Sequence, residues 1–163
     1  MDAVIREAIR DRILAAVPTA QVSLYLPLST DADGAPVLAP VTDQSAVRSA
    51  VIDRLRVRLT CDHSGMTTGE AVYRVVYAEN IKGVQAHSEF HRRLDDVFRH
   101  LLFPPRFGLD DADPRTNVLR RVEALEAEIQ LGAAATGSAR VHYLTAQIDL
   151  TLSLYWKIGR AHV

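Results

Sequence analysis

Cys61, His63, His87 and His91 are the residues of this 163-residue chain whose types best suit metal chemistry. A thiolate and three imidazoles satisfy tetrahedral zinc, and histidines four apart on a helix face the same way. The pattern around them argues against such a site. Cys61 alternates with Leu55, Val57 and Leu59 on the apolar side of its segment, where a free cysteine is a small hydrophobe, and His87 and His91 share a helix face with Asp95, as solvated residues do. Asp62, His63 and Ser64 supply triad residue types, but neighbours in sequence do not converge on one reacting atom. There is no phosphate-cradling glycine loop and no nucleophile motif. The expectation is therefore a protein that is not an enzyme, with no catalytic residue, metal ligand or cofactor. A small metal-binding enzyme built on the four residues is the alternative.

Arg54, Arg56 and Arg58 set three guanidiniums along one face of an alternating segment, and Tyr73 or Tyr77 could lie beside them on the adjacent strand. Arginines combined with stacking aromatics are how sheet platforms hold single-stranded nucleic acid. With a net charge of -1 and 2 lysines against 17 arginines, the chain has no general attraction to polyanions, so a solvated or subunit-facing surface is the preferred reading and a nucleic-acid module the alternative. Phe103, Arg106 and Phe107 flank Pro104 and Pro105 in a stiff loop; the rings are expected to close over the core, the alternative being an exposed anchor for a partner. These six, Arg54, Arg56, Arg58, Phe103, Arg106 and Phe107, form the candidate interface. Glu123, Glu126 and Glu128 are expected on the wet side of their element.

The elements that must position these residues follow from periodicity. Ile5, Ile9, Ile13 and Ala16 predict an amphipathic helix over 2–17, with Arg6, Glu7, Arg10 and Asp11 on its other faces, ended by Pro18, with Asp2 as cap and Asp2–Arg6 as an acid-then-base pair four apart worth a few tenths of a kcal/mol. Val22, Leu24, Leu26 and Leu28 predict a half-buried strand over 21–28, and Pro27 places its end at an edge or beside a bulge. A turn-rich loop or loose hairpin around Asp33 and Gly34 follows. Val47 and Val51 suggest a short helix over 43–53, and 54–61 alternates as a strand. Residues 71–78 predict its partner strand, with a helix opened by Thr67 and Glu70 as the competitor. Phe90, Leu94, Val97, Phe98 and Leu101 mark a helix over 87–102, with Glu89–Arg93 and Asp95–Arg99 on its other side, and Pro104 ends it before an acidic connection at 110–113. Residues 125–131 and 147–156 alternate as the arms of a long hairpin that turns at Thr136, Gly137 and Ser138, while 116–124 stays undecided between helix and strand.

Together these predict a single α+β domain over 2–157: a mostly antiparallel sheet of four to five strands covered by the N-terminal and central helices. Apolar residues at 48% and charged residues at 24% are the balance of an ordinary globular chain. No apolar run reaches the roughly 20 residues that cross a bilayer, and the charged N-terminus is unlike a signal peptide. One cysteine forms no internal disulfide, so a reducing compartment is expected. Residues 158–163 look like the translation of a sequencing adaptor and are expected to be an artefact at a truncated reading frame, the natural chain continuing past Lys157.

The helix around Ile5, Ile9 and Ile13, the helix around Phe90, Leu94 and Phe98, and the closing strand Ile148 to Trp156, in this order, resemble the tail terminator or tail completion proteins of long-tailed bacteriophages. The resemblance rests on architecture over most of 2–157, and no catalytic residue is carried over. It implies a subunit of a homo-oligomeric ring that caps the tail tube and meets the head connector. The loops at 29–45 and 103–116 would then dock partners, and the arginine face would meet a neighbouring subunit or the lumen. Such a protein is expected in the host cytoplasm during assembly and then in the virion.

Overall fold

The structure, a computed structural model, describes residues 2–25, 28–30, 32–34, 36–38, 48–64, 66–80, 86–106, 119–136 and 139–157. Helix α1 (Asp2–Ala16) leads into a three-residue strand β1 (Gln21–Ser23) and a small hairpin, β2 (Leu28–Thr30) with β3 (Pro36–Leu38). Strands β4 (Arg48–Cys61) and β5 (Met66–Asn80), helix α2 (Ala86–Leu102) and the hairpin β6 (Leu119–Thr136) with β7 (Ala139–Lys157) complete the chain. The main sheet has the order β1-β4-β5-β7-β6. β1 pairs parallel to β4 and every other pairing is antiparallel, so the fold is α+β with a mostly antiparallel sheet.

Both helices lie on one face. Ile5, Ile9 and Ile13 of α1 and Phe90, Leu94, Val97 and Leu101 of α2 are fully or almost fully buried against alternate residues of the central strands, among them Ile52, Tyr73, Val75, Tyr77, Ile148, Leu150 and Leu152. Burying each large apolar side chain contributes about 1.5–3 kcal/mol, which makes this layer the main source of stability. Phe90 stacks on Tyr77 at 6.0 Å between centroids.

Two arginines of α1 fasten the layer. At about 100° per residue they fall on either side of the isoleucine stripe. Arg6 is buried, with its Nε donating to Asp2 Oδ2 at 2.9 Å and its Nη1 donating to both Leu24 O and Ile52 O at 2.6 Å. The parallel β1–β4 pairing ends at Ser23 and Val51, so this guanidinium joins the two carbonyls one step beyond the last rung. It also lies 4.3 Å from the Tyr25 ring centroid. Arg12 reaches the end of α2, where Nη1 donates to His100 O and Leu101 O and Nη2 donates to Pro104 O and Arg106 O at 2.7–3.3 Å. Helix C-termini leave their last carbonyls without intrahelical partners, and Arg12 supplies those donors.

Several expectations are corrected. Arg6 is an interior anchor, not a solvated residue. Residues 48–53, expected as part of a short helix, belong to β4: Ala50, Val51 and Ile52 are all buried, and burial on both faces removes the alternation by which a strand is recognised. The first strand is shorter than 21–28, while the burial alternation from Gln21 to Tyr25 holds. The hairpin around Asp33 and Gly34 forms as β2–β3, and Gly34 takes the left-handed conformation (φ 79°) its turn requires. Thr67 and Glu70 lie in β5, which excludes the competing helix, and the undecided 116–124 is strand from Leu119 onward. Glu89–Arg93 pairs at 3.8 Å, whereas Arg99 pairs with Asp96 instead of Asp95. Pro27, residues 43–47, the acidic connection, the turn at Gly137 and Ser138, and 158–163 lie outside the described residues.

Replacing Arg6 by Ala strands the Leu24 and Ile52 carbonyls and is expected to cost about 3 kcal/mol, read as a lower urea midpoint. Arg6→Lys should recover only part of that loss, because one ammonium lacks the planar fork that serves Asp2 and the carbonyls together.

Candidate functional site

The four residues with metal-ligand chemistry are held apart. Cys61 and His63 are exposed at the β4–β5 turn. His87 and His91 lie in the first turns of α2, with ring centroids 4.7 Å apart. That end of α2 packs at the opposite end of β5, because Arg93 holds Glu79 while Cys61 pairs with Thr67. The strand between Thr67 and Glu79 spans about 40 Å. Among the described residues no three His, Cys, Asp or Glu side chains gather into a metal-holding group. The placing of Cys61 on the buried side is also corrected, since it is exposed.

The three arginines do not share a face. A bulge between Arg54 and Arg56 slips the register by one residue, so Arg54 pairs with Tyr73 whereas Arg56 and Arg58 pair with Val72 and Glu70. Arg54 thus stands on the helix-covered face, 3.8 Å from Asp2. Arg56 and Arg58 stand on the opposite, open face and are exposed. Tyr73 and Tyr77 are fully buried beneath the helices, so the platform of arginines and aromatics that the nucleic-acid alternative needs is not assembled. Of the loop residues, Phe103 is 71% exposed instead of closing over the core, Arg106 is exposed, and Phe107 lies outside the described residues. The Arg12 clasp on the Pro104 and Arg106 carbonyls fixes the loop from which Phe103 projects.

The open face has its own charge pattern. Arg74 and Asp149 form a two-point pair on adjacent strands, at 2.8 and 3.1 Å, which raises the Arg74 pKa chiefly through the hydrogen bond to the carboxylate. Around them a shallow depression of about 480 Å³ is lined by Glu126, Ala127, Glu128 and Gln147. Its arginine is already committed to a carboxylate and its glutamates are exposed, a composition suited to docking a charged surface. Glu123, Glu126 and Glu128 are exposed as expected. The apolar side of the same strand is not covered as its alternation implied: Ile129 is 42% and Leu131 71% exposed. At the other end of the sheet Leu55 (43%) and Leu59 (40%) are exposed as well. Leu59 lies over Gly69, where an added Cβ would come within 2.8 Å of its Cδ2 and 2.1 Å of Arg58 O.

Sequence reasoning passed over one further cluster. Glu79, buried, accepts hydrogen bonds from Arg93 Nε at 2.9 Å and from Tyr77 OH at 2.5 Å, with Arg48 Nε at 3.5 Å. Arg93 is held charged, its pKa raised by its hydrogen bond to Glu79. The available signal was the tyrosine two residues before a glutamate in a β-rich run: both side chains then point to one face. Two arginines against one carboxylate make it a clamp of α2 on β5. No protein-family model matches the chain, and no curated protein matches it.

Burial, with hydrogen bonds to Asp2 and Glu79, pushes the Tyr73 and Tyr77 phenols well above their ordinary value of 10.0. Folded chains therefore keep protons that unfolded chains lose, and this stabilisation is complete below pH 10 and lost as pH rises beyond it. Urea midpoints are expected to fall steeply above pH 10, with the fall flattened in the double variant Tyr73→Phe, Tyr77→Phe. At neutral pH each of these replacements should cost about 1 kcal/mol, for the lost hydrogen bond.

Proposed function

We propose that this chain is a structural subunit of a bacteriophage tail, of the terminator or completion class, which assembles into a homo-oligomeric ring that caps the tail tube and joins it to the head connector. The observation that carries the reading is a sheet covered by helices on one face, with a C-terminal hairpin that outruns it. The rungs from Ala133–His142 to Thr136–Ala139 lie beyond the last pairing with β5, so this end of the hairpin projects as a two-stranded arm.

The order of helices and strands, with this closing hairpin, is in keeping with the architecture the sequence resembles. Subunits of a closed ring need two different surfaces, each fitted to the next copy. Exposed apolar side chains include Leu55 and Leu59 on β4, beyond its pairing with β1, and Ile129 and Leu131 on the edge strand β6. Phe103 and Arg106, in the loop clasped by Arg12, are the candidate contacts to tube or connector. The role asked of these residues is recognition and mechanical continuity, not turnover. The site of action is the host cytoplasm during assembly and afterwards the virion. No helix among the described residues is long and apolar enough to cross a membrane.

Size-exclusion chromatography with light scattering on the full chain tests the reading. A discrete multimer that binds the tail tube protein encoded beside it is expected. A strict monomer at every concentration and salt, with no binding to tube protein, would overturn it.

A further inference from the structure

We infer that copies of this chain join head to tail through two oppositely charged sheet edges, the Arg56 and Arg58 edge of β4 in one copy meeting the Glu126 and Glu128 edge of β6 in the next. The inference rests on the ring reading above and says which surfaces would close the ring.

Among the described residues both edges are open. β1 covers β4 only as far as Val51, and beyond that point β4 has β5 on one side and no described strand on the other. Among the described residues β6 pairs with β7 alone. Its outer edge is met at Val122, whose N–H donates to Pro105 O at 2.9 Å, and the residues from Glu126 to Leu131 are exposed. An uncovered edge offers a row of backbone donors and acceptors to another strand, and proteins ordinarily defend such edges with charge.

Here the charges have opposite sign, and their faces correspond. The register places Arg56 and Arg58 on the open face of β4, and it places Glu126 and Glu128, opposite Asp149 and Gln147, on the open face of β6. On the helix-covered face the edges present Val57 and Leu59 in one case and Ala127 and Ile129 in the other. A sheet continued from copy to copy would bring arginine to glutamate on one face and apolar to apolar on the other. Arg56 already reaches Glu70 at 3.3 Å, while among the described residues Arg58, Glu126 and Glu128 have no salt-bridge partner.

Direction and symmetry agree. Three antiparallel pairings separate β4 from β6, so the two run in opposite senses within one copy. The same registers set Glu126 and Glu128 level with Asp53 and Val51, four rungs along β5 from Arg56 and Arg58, so the axis relating the copies must be inclined to the strands, as strands are in closed barrels; such a rotation preserves their senses, and β6 would meet the next β4 antiparallel. Pairing either edge with its own kind sets arginine against arginine or glutamate against glutamate. That repulsion disfavours a two-fold dimer and leaves the head-to-tail contact, the kind that closes rings.

The test uses full chains carrying Arg56→Glu with Arg58→Glu, or Glu126→Arg with Glu128→Arg, followed by light scattering at fixed salt. Each double variant alone has two edges of like charge and is expected to lose the multimer peak. A 1:1 mixture of the two restores one matched pair at every contact, and the multimer should return, as it should in the fourfold variant with both edges exchanged. Recovery in the mixture also shows that each variant folds. The neutral variants Arg56→Gln with Arg58→Gln should weaken association by about tenfold, and raised salt should weaken the wild type similarly. Double variants that assemble like the wild type would overturn the edge contact and leave the ring reading standing. So would variants that fold yet fail to recover on mixing. A monomeric wild type would remove both.

Discussion

An α-helix advances about 1.5 Å per residue and a strand about 3.3 Å, and the architecture of this protein follows from that mismatch. The 15 and 17 residues of its helices span about 22 and 25 Å, while the 18 and 19 residues of its closing hairpin run about 60 Å. Two such helices cover the central strands, and among the described residues the outer strands run past them. Ile148, Leu150 and Leu152 are fully buried, and Leu154 and Leu144 nearly so, while Leu59 and Leu131, on the same face and the same rungs as Leu154 and Leu144 but on outer strands, stand in solvent.

Polar anchors determine where the short helices sit. Arg6 fastens α1 where β1 stops, Arg12 ties α1 to the end of α2, and Glu79 holds the other end of α2 through Arg93. Each uses a guanidinium to meet carbonyls or a carboxylate, which fixes position more narrowly than apolar contact does. The helix layer is thereby held over Tyr73, Val75 and Tyr77 and is not free to slide along the strands. The outer strands and the projecting hairpin arm keep a fixed relation to this layer.

Much of the fold was legible in the sequence. The stripe from Phe90 to Leu101 and the alternation from Ile148 to Leu154 each report a local period that burial preserves. Alternation tells which side a residue takes, not whether anything covers that side, so Leu55, Leu59 and Leu131 read as core and are exposed. It also assumes an unbroken register; one extra residue near Leu55 sent Arg54 to one face and Arg56 and Arg58 to the other. Arg6 and Glu79 were hidden because a charged side chain reads as solvated until its partners, distant in sequence, are known. The candidate interface was legible in its residue types, and its division between faces was not.

In the proposed assembly, β4 beyond Val51 and β6 from Ala124 to Leu131 are edges completed by another copy of the chain. Hydrogen exchange of the full chain, compared between dilute and concentrated solution, addresses it amide by amide. If copies join through these edges, protection grows with concentration at residues 55–61 and 124–131, while the helix layer and the centre of β5 stay unchanged. Exchange at both edges that is independent of concentration while the protein is demonstrably multimeric would contradict it.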